Sequence, residues 1–459
     1  MRREHFLQTK MKRGLRQVAV WLAVMLILAL APGAGLAHEA NKNAVAQLVV
    51  KNASGETIAA GTGFVVDPEG VLVTNYHVLV DATGIDALFP DGRRVAVDAV
   101  LNVDRKRDFA LLQLEKGFYS TLEIGDSGRL ATFDYTSALG FSAEAPEEGP
   151  GRVLQTYGFV LGLHPQAYPD FSYIYTSTPF GPGFSGGPLI DRDNKVVGIA
   201  TLAGRSINLA LPIDEIKPLL AASKHRAFAE LLEEDKNSKE ALYYRGNFLL
   251  YAMGDLDGAR KAYEEVLSRD SGFALAHYDM AVIQRDLGDM DQAIASYEKA
   301  LAIHPNFPEA LSNLGGFYFR TGQEEKALVT FERALKVYPN FVQGLSNLGA
   351  VLNKLGRSKE ARPLLEKALQ LDPEFAVAYF NLGNAYFSLG RMDEAEDAYN
   401  RSVAMGVEFL AMHWKLYEIH RQKDNNAEAE RQLRIILEMD PENAEAKEKL
   451  NRLAPARQH

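Results

Sequence analysis

The sequence predicts two folds in one chain, an all-β domain followed by an all-α solenoid of helical hairpins. The first observation is a series of short β-branched segments, separated by Gly, Pro and Asp turn signals, between residues 43 and 215. The second is the change of the apolar period from two to about 3.6 residues near residue 213. The third is a repeat of 34 residues that starts at residue 240.

The composition is that of a folded protein and limits the classes of function. Of the 459 residues, 47% are hydrophobic and 24% are charged. The formal net charge of −10 argues against nucleic acid as the main partner, because phosphate binding needs clustered Lys and Arg. The absence of cysteine excludes disulfides, thiolate metal sites and a cysteine nucleophile. The sequence indicates no metal or cofactor site.

The first 37 residues have the order of a secretory signal peptide. A basic stretch that ends at Arg16 is followed by an apolar run over 18–31, the helix breaker Pro32-Gly33 and small residues up to Ala37. We expect cleavage near Ala37 and a periplasmic or secreted protein. The alternative is an uncleaved membrane anchor, because the apolar stretch is just long enough to span a bilayer.

The clearest signal is the 34-residue repeat, which occurs six times over residues 240–443. Position 20 of every unit is alanine, position 24 is always Tyr, Phe or Leu, and a proline closes four units. A small residue beside a large one lets two antiparallel helices pack closely, and the proline ends the second helix. The pattern resembles the tetratricopeptide repeat family. The resemblance implies a solenoid, with a helical linker over 223–239 before it and a capping helix and tail over 444–459.

Three segments of the all-β region carry candidate catalytic residues. His77 follows an apolar strand, Asp108 precedes another, and Ser185 lies in the glycine-rich segment 181–189. A serine hydroxyl needs a base within hydrogen-bond reach, and an imidazole can serve as that base. A carboxylate on the far ring nitrogen fixes the tautomer of the imidazole. The three residue types therefore predict a serine nucleophile with its base and its orienting acid.

These segments resemble the trypsin-like peptidases of the HtrA/Deg type over roughly residues 44–215. The resemblance implies a chymotrypsin-like double β-barrel over 38–222, with Ser185 as nucleophile, His77 as general base and then acid, and Asp108 as the orienting carboxylate. It also implies an oxyanion hole formed by the amides of Gly183 and Ser185. The alternative of an α/β-hydrolase is rejected, because its acid and histidine would follow the serine in the chain.

The residue before the nucleophile departs from the digestive branch of this family. Those enzymes carry an Asp there, which pairs with a newly cut N-terminus to order the active site. This chain has Phe184 at that position. We therefore expect that activity does not depend on N-terminal cleavage.

The resemblance also indicates the residues that contact substrate. Ile199, Ala200 and Thr201 lie on the strand after the nucleophile, which in the resembling fold pairs with the substrate backbone. Asn208 and Leu209 belong to another wall of the first pocket. These residues are uncharged and mostly aliphatic. We therefore predict a preference for small or medium apolar residues before the cleaved bond.

The repeat array predicts protein binding, and its details leave two interpretations open. Asn313, Asn347 and Asn381 fall at the same position in three consecutive repeats. They either hydrogen-bond an extended peptide in the groove or fix the stacking of one repeat on the next. For the whole chain, one hypothesis is an exported serine endopeptidase whose repeats recruit substrate or partner proteins. The alternative is an interaction scaffold or chaperone-like peptide-binding protein with little or no proteolytic turnover.

Overall fold

The computed structural model describes five stretches of the chain: 41–142, 151–165, 172–203, 207–220 and 224–453. The predicted signal peptide over 1–37 lies outside these residues. Within them, no helix combines the length and the apolar character needed to cross a membrane.

Six antiparallel strands close the first β-barrel. They are β1 (Val45–Lys51), β2 (Thr57–Asp67), β3 (Val71–Thr74), β4 (Gly84–Leu88), β5 (Arg94–Asp104) and β6 (Phe109–Leu114). Their order around the barrel is β1-β2-β3-β6-β5-β4, and β1 closes it by pairing with both β2 and β4. A closed barrel leaves no unpaired strand edge.

The second barrel is built from the next part of the chain. Its strands are β7 (Glu123–Ile124), β8 (Tyr135–Gly140), β9 (Leu154–Pro165), β10 (Ser172–Thr176), β11 (Pro188–Asp191), β12 (Lys195–Ala203) and β13 (Ile207–Pro212). Six of them follow the order β11-β8-β9-β10-β13-β12, and the pairing of β11 with β12 closes the ring. The short β7 adds to β12 in parallel.

Alternate residues of the first barrel's strands belong to two different cores. Val65 and Leu72 pack with residues inside the first barrel. Their neighbours Phe64 and Val73 are equally buried, but they pack in a cluster that includes residues of the second barrel. Because successive strand residues point to opposite faces, both faces of β2 and β3 are covered. The face of β2 and β3 that carries Phe64 and Val73 therefore lines the junction between the barrels.

The remainder of the described chain is helical. After α1 (Ile213–Leu220) and α2 (Phe228–Asp235), the helices of the array are α3 (Lys239–Asn247), α4 (Leu256–Arg269), α5 (Ala274–Asp286), α6 (Met290–Ile303), α7 (Pro308–Arg320), α8 (Glu324–Val337), α9 (Val342–Lys354), α10 (Ser358–Leu371), α11 (Ala376–Ser388), α12 (Met392–Ala404), α13 (Leu410–Gln422), α14 (Asn426–Met439) and α15 (Ala444–Leu453). The predicted fold class, a chymotrypsin-like double barrel followed by a helical-repeat solenoid, is confirmed.

Close packing of the two helices in each hairpin explains the repeated small residues. A Cβ atom added at Gly383 would lie 2.5 Å from the ring of Tyr399, and one added at Gly349 would lie 2.6 Å from Leu365. The eighth position of a repeat therefore meets the large side chain at the twenty-fourth. At Gly349 and Gly383 a methyl group fits only if the facing side chain or its helix moves.

The first repeat departs from this register. Its first helix continues from α3 into a π-helical segment, Phe248–Met253. Gly246 contacts Tyr263, 17 residues later, whereas Gly315 contacts Phe331, 16 residues later. The π-helical segment therefore accommodates one extra residue, and every residue of α3 lies one position earlier than the 34-residue period indicates.

A buried carboxylate at the start of the array makes the stability of the array depend on pH. Asp279 is 3% exposed and accepts hydrogen bonds of 2.8 Å from the hydroxyls of Tyr243 and Tyr251. Burial raises its pKa to about 6, although the two hydrogen bonds act in the opposite direction. The folded state therefore favours the protonated form more than the unfolded state does.

We expect Asp279→Asn to remove this pH dependence. The contribution of a raised pKa is fully present below the ordinary Asp value and is lost as the pH rises through about 6. The difference in unfolding free energy between variant and wild type should therefore change by about 2 kcal/mol between pH 4 and pH 8. Urea unfolding of both proteins across this range measures it. Parallel pH profiles for the two proteins would contradict the assignment.

Candidate active site

His77 and Asp108 are joined by two hydrogen bonds. His77 lies in the 3-10 turn Tyr76–Leu79 that follows β3, and Asp108 lies in the turn between β5 and β6. The imidazole Nδ1 is 2.6 Å from Asp108 Oδ2, and the backbone N–H of His77 donates to Asp108 Oδ1 at 2.8 Å. The carboxylate thus fixes the ring from one side and leaves Nε2 for other contacts.

Asp108 is held by more than its contact with the histidine. Its side chain is nearly inaccessible, and Thr201 Oγ1 donates to Oδ2 at 3.0 Å. Asn75 Nδ2 donates to the backbone oxygen of Asp108 at 2.8 Å. The backbone has φ +56°, a left-handed conformation that costs energy for a non-glycine residue. These contacts hold the strained turn that aims the carboxylate at His77.

The loop that carries Ser185 is hydrogen-bonded across the junction to the first barrel. The backbone oxygen of Ser185 accepts from the N–H of Thr62 at 2.9 Å, and the oxygen of Gly183 accepts from Thr62 Oγ1 at 2.6 Å. Thr74, three residues before His77, donates its hydroxyl to Thr62 O at 2.7 Å. The nucleophile loop is therefore anchored beside the strand that leads into His77.

Two amides of this loop are left without acceptors. In the part of the chain that the structure describes, the N–H groups of Gly183 and Ser185 donate to no hydrogen-bond partner. The intervening Phe184 N–H donates to Gly181 O, and the next amide, of Gly186, donates to Ala200 O. Unpaired amides at alternate positions of a tight loop suit an oxyanion hole, which stays a prediction for Gly183 and Ser185.

Phe184 fills an apolar space inside the second barrel. Its side chain is 2% exposed and packs with Ala138, Leu189 and Ala210. The ring also lies against Gly140, where an added Cβ would come within 2.6 Å. The position that carries an acidic residue in the digestive enzymes therefore makes apolar contacts in this chain. This is consistent with the prediction that no new N-terminus is needed there.

The predicted substrate-contacting residues have different roles in the structure. The side chains of Ile199, Ala200 and Leu209 are completely buried, so they expose no surface to a substrate. Pairing of the β12 backbone with a substrate stays a prediction. Thr201 is also buried and donates to Asp108. Successive strand residues point to opposite faces, so Ala200 packs inside the second barrel while Ile199 and Leu209 pack in the cluster that the two barrels share. Of the five, Asn208 alone is partly exposed, and its Oδ1 accepts from the N–H of Phe180 ahead of the Ser185 loop.

The three repeat asparagines contact the preceding repeat. Their amides donate as follows: Asn313 to Tyr278 and Tyr297, Asn347 to Ser312, and Asn381 to Ser346. Asp279, at the same position one repeat earlier, accepts from Tyr243 in the same manner. Of the two interpretations that the sequence left open, these contacts favour the stacking role.

Sequence reasoning missed several residues that contact the site. Asn75 and Thr62 were part of the recognised segments, but no role followed from their positions in the chain. Tyr244, in the first repeat, stacks on the His77 ring with a centroid distance of 6.2 Å. Burial raises the pKa of Tyr244, and the Asp108 carboxylate raises it further, so the hydroxyl stays neutral. No sequence pattern indicates a contact between the repeats and His77.

The arrangement contains the groups needed for acyl transfer. An imidazole fixed by a carboxylate, a serine on a neighbouring anchored loop and two unpaired amides correspond to base, nucleophile and oxyanion donors. Among the described residues, no group of three or more His, Cys, Asp or Glu side chains is arranged to hold a metal ion. Fold and site together define a chymotrypsin-like peptidase domain joined to a helical-repeat array.

Comparison with protein families supports both parts of this description. Residues 61–199 match the family described as trypsin-like peptidase domain. Residues 225–272, 249–306, 284–345 and 341–406 match families described as tetratricopeptide repeat. The chain therefore carries a trypsin-like peptidase domain followed by tetratricopeptide repeats.

Curated relatives of the peptidase domain include HtrA proteases. Serine protease HTRA1 of Xenopus laevis is 34% identical over 173 residues, which are 37% of this chain and 37% of that protein. Serine protease HTRA2, mitochondrial, of Drosophila virilis is 30% identical over 183 residues, 38% of this chain and 42% of that protein. The chain thus spans less than half the length of these relatives. A solved HtrA-type protease with a tripeptide has 23% identity and a TM-score of 0.36, and the match covers 40% of this chain and 61% of that one. The resemblance predicted from the sequence is confirmed.

Proposed function

We propose that the protein is an exported serine endopeptidase that cleaves protein substrates through an acyl-enzyme, with His77, Asp108 and Ser185 as catalytic residues. The observation that carries the proposal is the double hydrogen bond between Asp108 and His77. A carboxylate that binds both the backbone and the ring of one histidine fixes its orientation and tautomer. A structural histidine has no need of such an arrangement next to an anchored serine loop.

The proposed reaction proceeds in two stages. Ser185 Oγ attacks the scissile carbonyl while His77 Nε2 takes its proton, and the carbonyl oxygen becomes an oxyanion bound by the amides of Gly183 and Ser185. His77 returns the proton to the leaving amine, and the C–N bond breaks to give the acyl-enzyme. Water then attacks the ester with His77 again as base, and the proton passes back to Ser185 as the acid product leaves.

The repeat array supplies a binding surface for a protein substrate or partner in this proposal. A cavity of about 320 Å³ opens between the first helices of the third to sixth repeats. Its lining includes three aromatic rings, three amides and two ammonium groups, on Phe319, Phe380, Phe387, Asn353, Asn381, Asn384, Lys354 and Lys415. Apolar and aromatic walls with a few polar groups are typical of ligand-binding pockets.

Labelling with a fluorophosphonate tests the peptidase proposal, because only an activated serine in a formed site reacts. We expect the wild type to be labelled at Ser185 and to cleave casein, and Ser185→Ala to do neither at matched circular dichroism. Labelling that maps to another serine, or casein cleavage that survives in Ser185→Ala, would sink the assignment. A wild type that is folded, unlabelled and inactive would favour the scaffold hypothesis.

Export is the part of the proposal that rests on residues 1–37 alone. A basic stretch, an apolar run and small residues in this order are typical of a segment that is removed on export. Fractionation of a bacterial host and N-terminal sequencing test it. A start close to His38 in the periplasm or medium supports cleavage, an intact N-terminus in the membrane indicates an anchor, and retention in the cytoplasm contradicts export.

A further inference from the structure

The first helix of the repeat array is packed against the catalytic end of the first barrel. Tyr244 on α3 stacks on the His77 ring at 6.2 Å with an interplanar angle of 30°, and its ring meets Tyr76 edge-on at 5.8 Å. Ala241, almost one turn earlier on the helix, is buried in the core cluster of the first barrel. The start of the array therefore extends the core of the peptidase domain.

The register of the first repeat explains why this particular residue meets the histidine. Tyr244 lies two residues before Gly246, as Asn313 lies two residues before Gly315. The π-helical insertion therefore gives Tyr244 the position that the asparagine column holds in later repeats. In those repeats the position contacts the preceding repeat, as with Asn313 and Tyr278. In the first repeat the corresponding contact is the catalytic turn of the barrel.

The array is fixed to both barrels, so Tyr244 has little freedom to move away. Arg105 of the first barrel forms a poorly exposed ion pair of 2.6 Å with Asp235 at the end of α2. On the second barrel, the backbone oxygen of Leu161 accepts a hydrogen bond of 3.0 Å from Asn340 Nδ2, in the third repeat. Asp235 lies on the helix that leads into the array, so these contacts hold the entry to the array and its third repeat against the barrels.

We propose that Tyr244 is a positioning residue for His77, so that the first tetratricopeptide repeat completes the catalytic site of the peptidase domain. The inference rests on the proposed function, because it assigns to His77 the role of general base. The Asp108 carboxylate fixes the Nδ1 edge of the imidazole but does not prevent the ring from tilting about that edge. The Tyr244 ring lies beside the imidazole, with the ring centroids 6.2 Å apart and the planes 30° from parallel. In this proposal it opposes the tilt, so that Nε2 stays in the orientation that proton transfer from Ser185 requires.

Substitutions at Tyr244 in the full-length protein test this role with a short fluorogenic peptide. An aromatic pair contributes a free energy that corresponds to a factor of about three to ten. We expect Tyr244→Leu to lower kcat and the rate of fluorophosphonate labelling by about tenfold and to leave KM within about twofold of wild type. Tyr244→Phe keeps the ring and should restore kcat to within about twofold. The control is Trp414→Leu in the sixth repeat, whose ring contacts Tyr417, and it should leave all three parameters unchanged.

Each outcome bears on a different claim. The positioning role is overturned if folded Tyr244→Leu has the same kcat as wild type. It is also overturned if Tyr244→Phe shows the same loss of kcat as Tyr244→Leu, or if Trp414→Leu shows that loss. If Tyr244→Leu does not fold, Tyr244→Met replaces it with the same expected loss. A wild type that is neither labelled nor active overturns the proposed function instead, since the positioning role presupposes an active Ser185.

Discussion

Replacement of Asp108 by Asn is expected to lower kcat by about 10⁴-fold while the protein stays folded. Asp108 uses its side chain only as an acceptor, from His77 N, His77 Nδ1 and Thr201 Oγ1. An amide has one oxygen and one NH₂ group, so whichever way it turns, a donor faces at least one of these donors. With the NH₂ group toward the ring, Nδ1 becomes the acceptor and Nε2 carries the proton. The nucleophile then has no base.

Steady-state kinetics on a short peptide, with Ser185→Ala as the background, measures this loss. The matched control is Asp91→Asn, which removes a carboxylate of the same barrel that pairs with Arg93 in an exposed turn. We expect the control to leave kcat unchanged, because surface ion pairs contribute little. A decrease of less than tenfold for Asp108→Asn, at an unfolding midpoint close to wild type, would show that the carboxylate does not orient the base.

The sequence was most informative where one physical constraint recurs along the chain. In the array, a residue at position 20 must be small in every hairpin, and all six alanines from Ala259 to Ala429 are nearly or fully buried. The same constraint acts six times, so chance agreement is excluded by the sequence alone. The barrels offer no such repetition, and their strands were predicted as a class rather than paired one by one.

The candidate catalytic residues were predicted by type and order, but their supporting contacts were not. Thr201 and Asp108 are 93 residues apart, and their hydrogen bond exists only because β12 of the second barrel passes behind the turn before β6. The sequence indicated backbone pairing of that strand with substrate but not the support that the Thr201 side chain gives to Asp108, because it does not show which side of a barrel wall faces the site. For the same reason, the sequence did not show that the side chains of Ile199 and Leu209 are buried.

A single inserted residue hid the contact between the array and the histidine. The 34-residue alignment places Arg245 in the asparagine column, although the π-helical segment puts Tyr244 there. Sequence periodicity detects that a helix is present but not a local change in its winding. In the sequence, the shift is marked by Gly246, which lies one position earlier than the glycines of the later repeats. Its contact with Tyr263 shows that it fills the same structural position as those glycines.

Gly186→Ala is expected to destabilise the protein by about 3 kcal/mol and to lower kcat by about 10²-fold. A Cβ atom at Gly186 would lie 2.1 Å from Thr74 Oγ1 and 2.2 Å from the backbone oxygen of Thr62. The two threonine atoms are hydrogen-bonded to each other at 2.7 Å, so neither can withdraw without breaking this bond between β2 and β3. Thr62 also holds the Ser185 loop through its N–H and its hydroxyl. The loop must move instead, and Ser185 moves with it.

Gly92→Ala is the control, because it introduces backbone strain without steric overlap. Gly92 has φ +90°, close to the +86° of Gly186, but a Cβ atom there meets no atom within 4 Å. The control therefore carries only the cost of the left-handed backbone, about 1 kcal/mol, and should keep full kcat. Urea unfolding and peptide kinetics of both variants measure the difference. The prediction is contradicted if Gly186→Ala and Gly92→Ala are equally destabilised and Gly186→Ala keeps its kcat. The Ser185 loop would then accommodate a methyl group, and it would be held less tightly against the first barrel than its hydrogen bonds indicate.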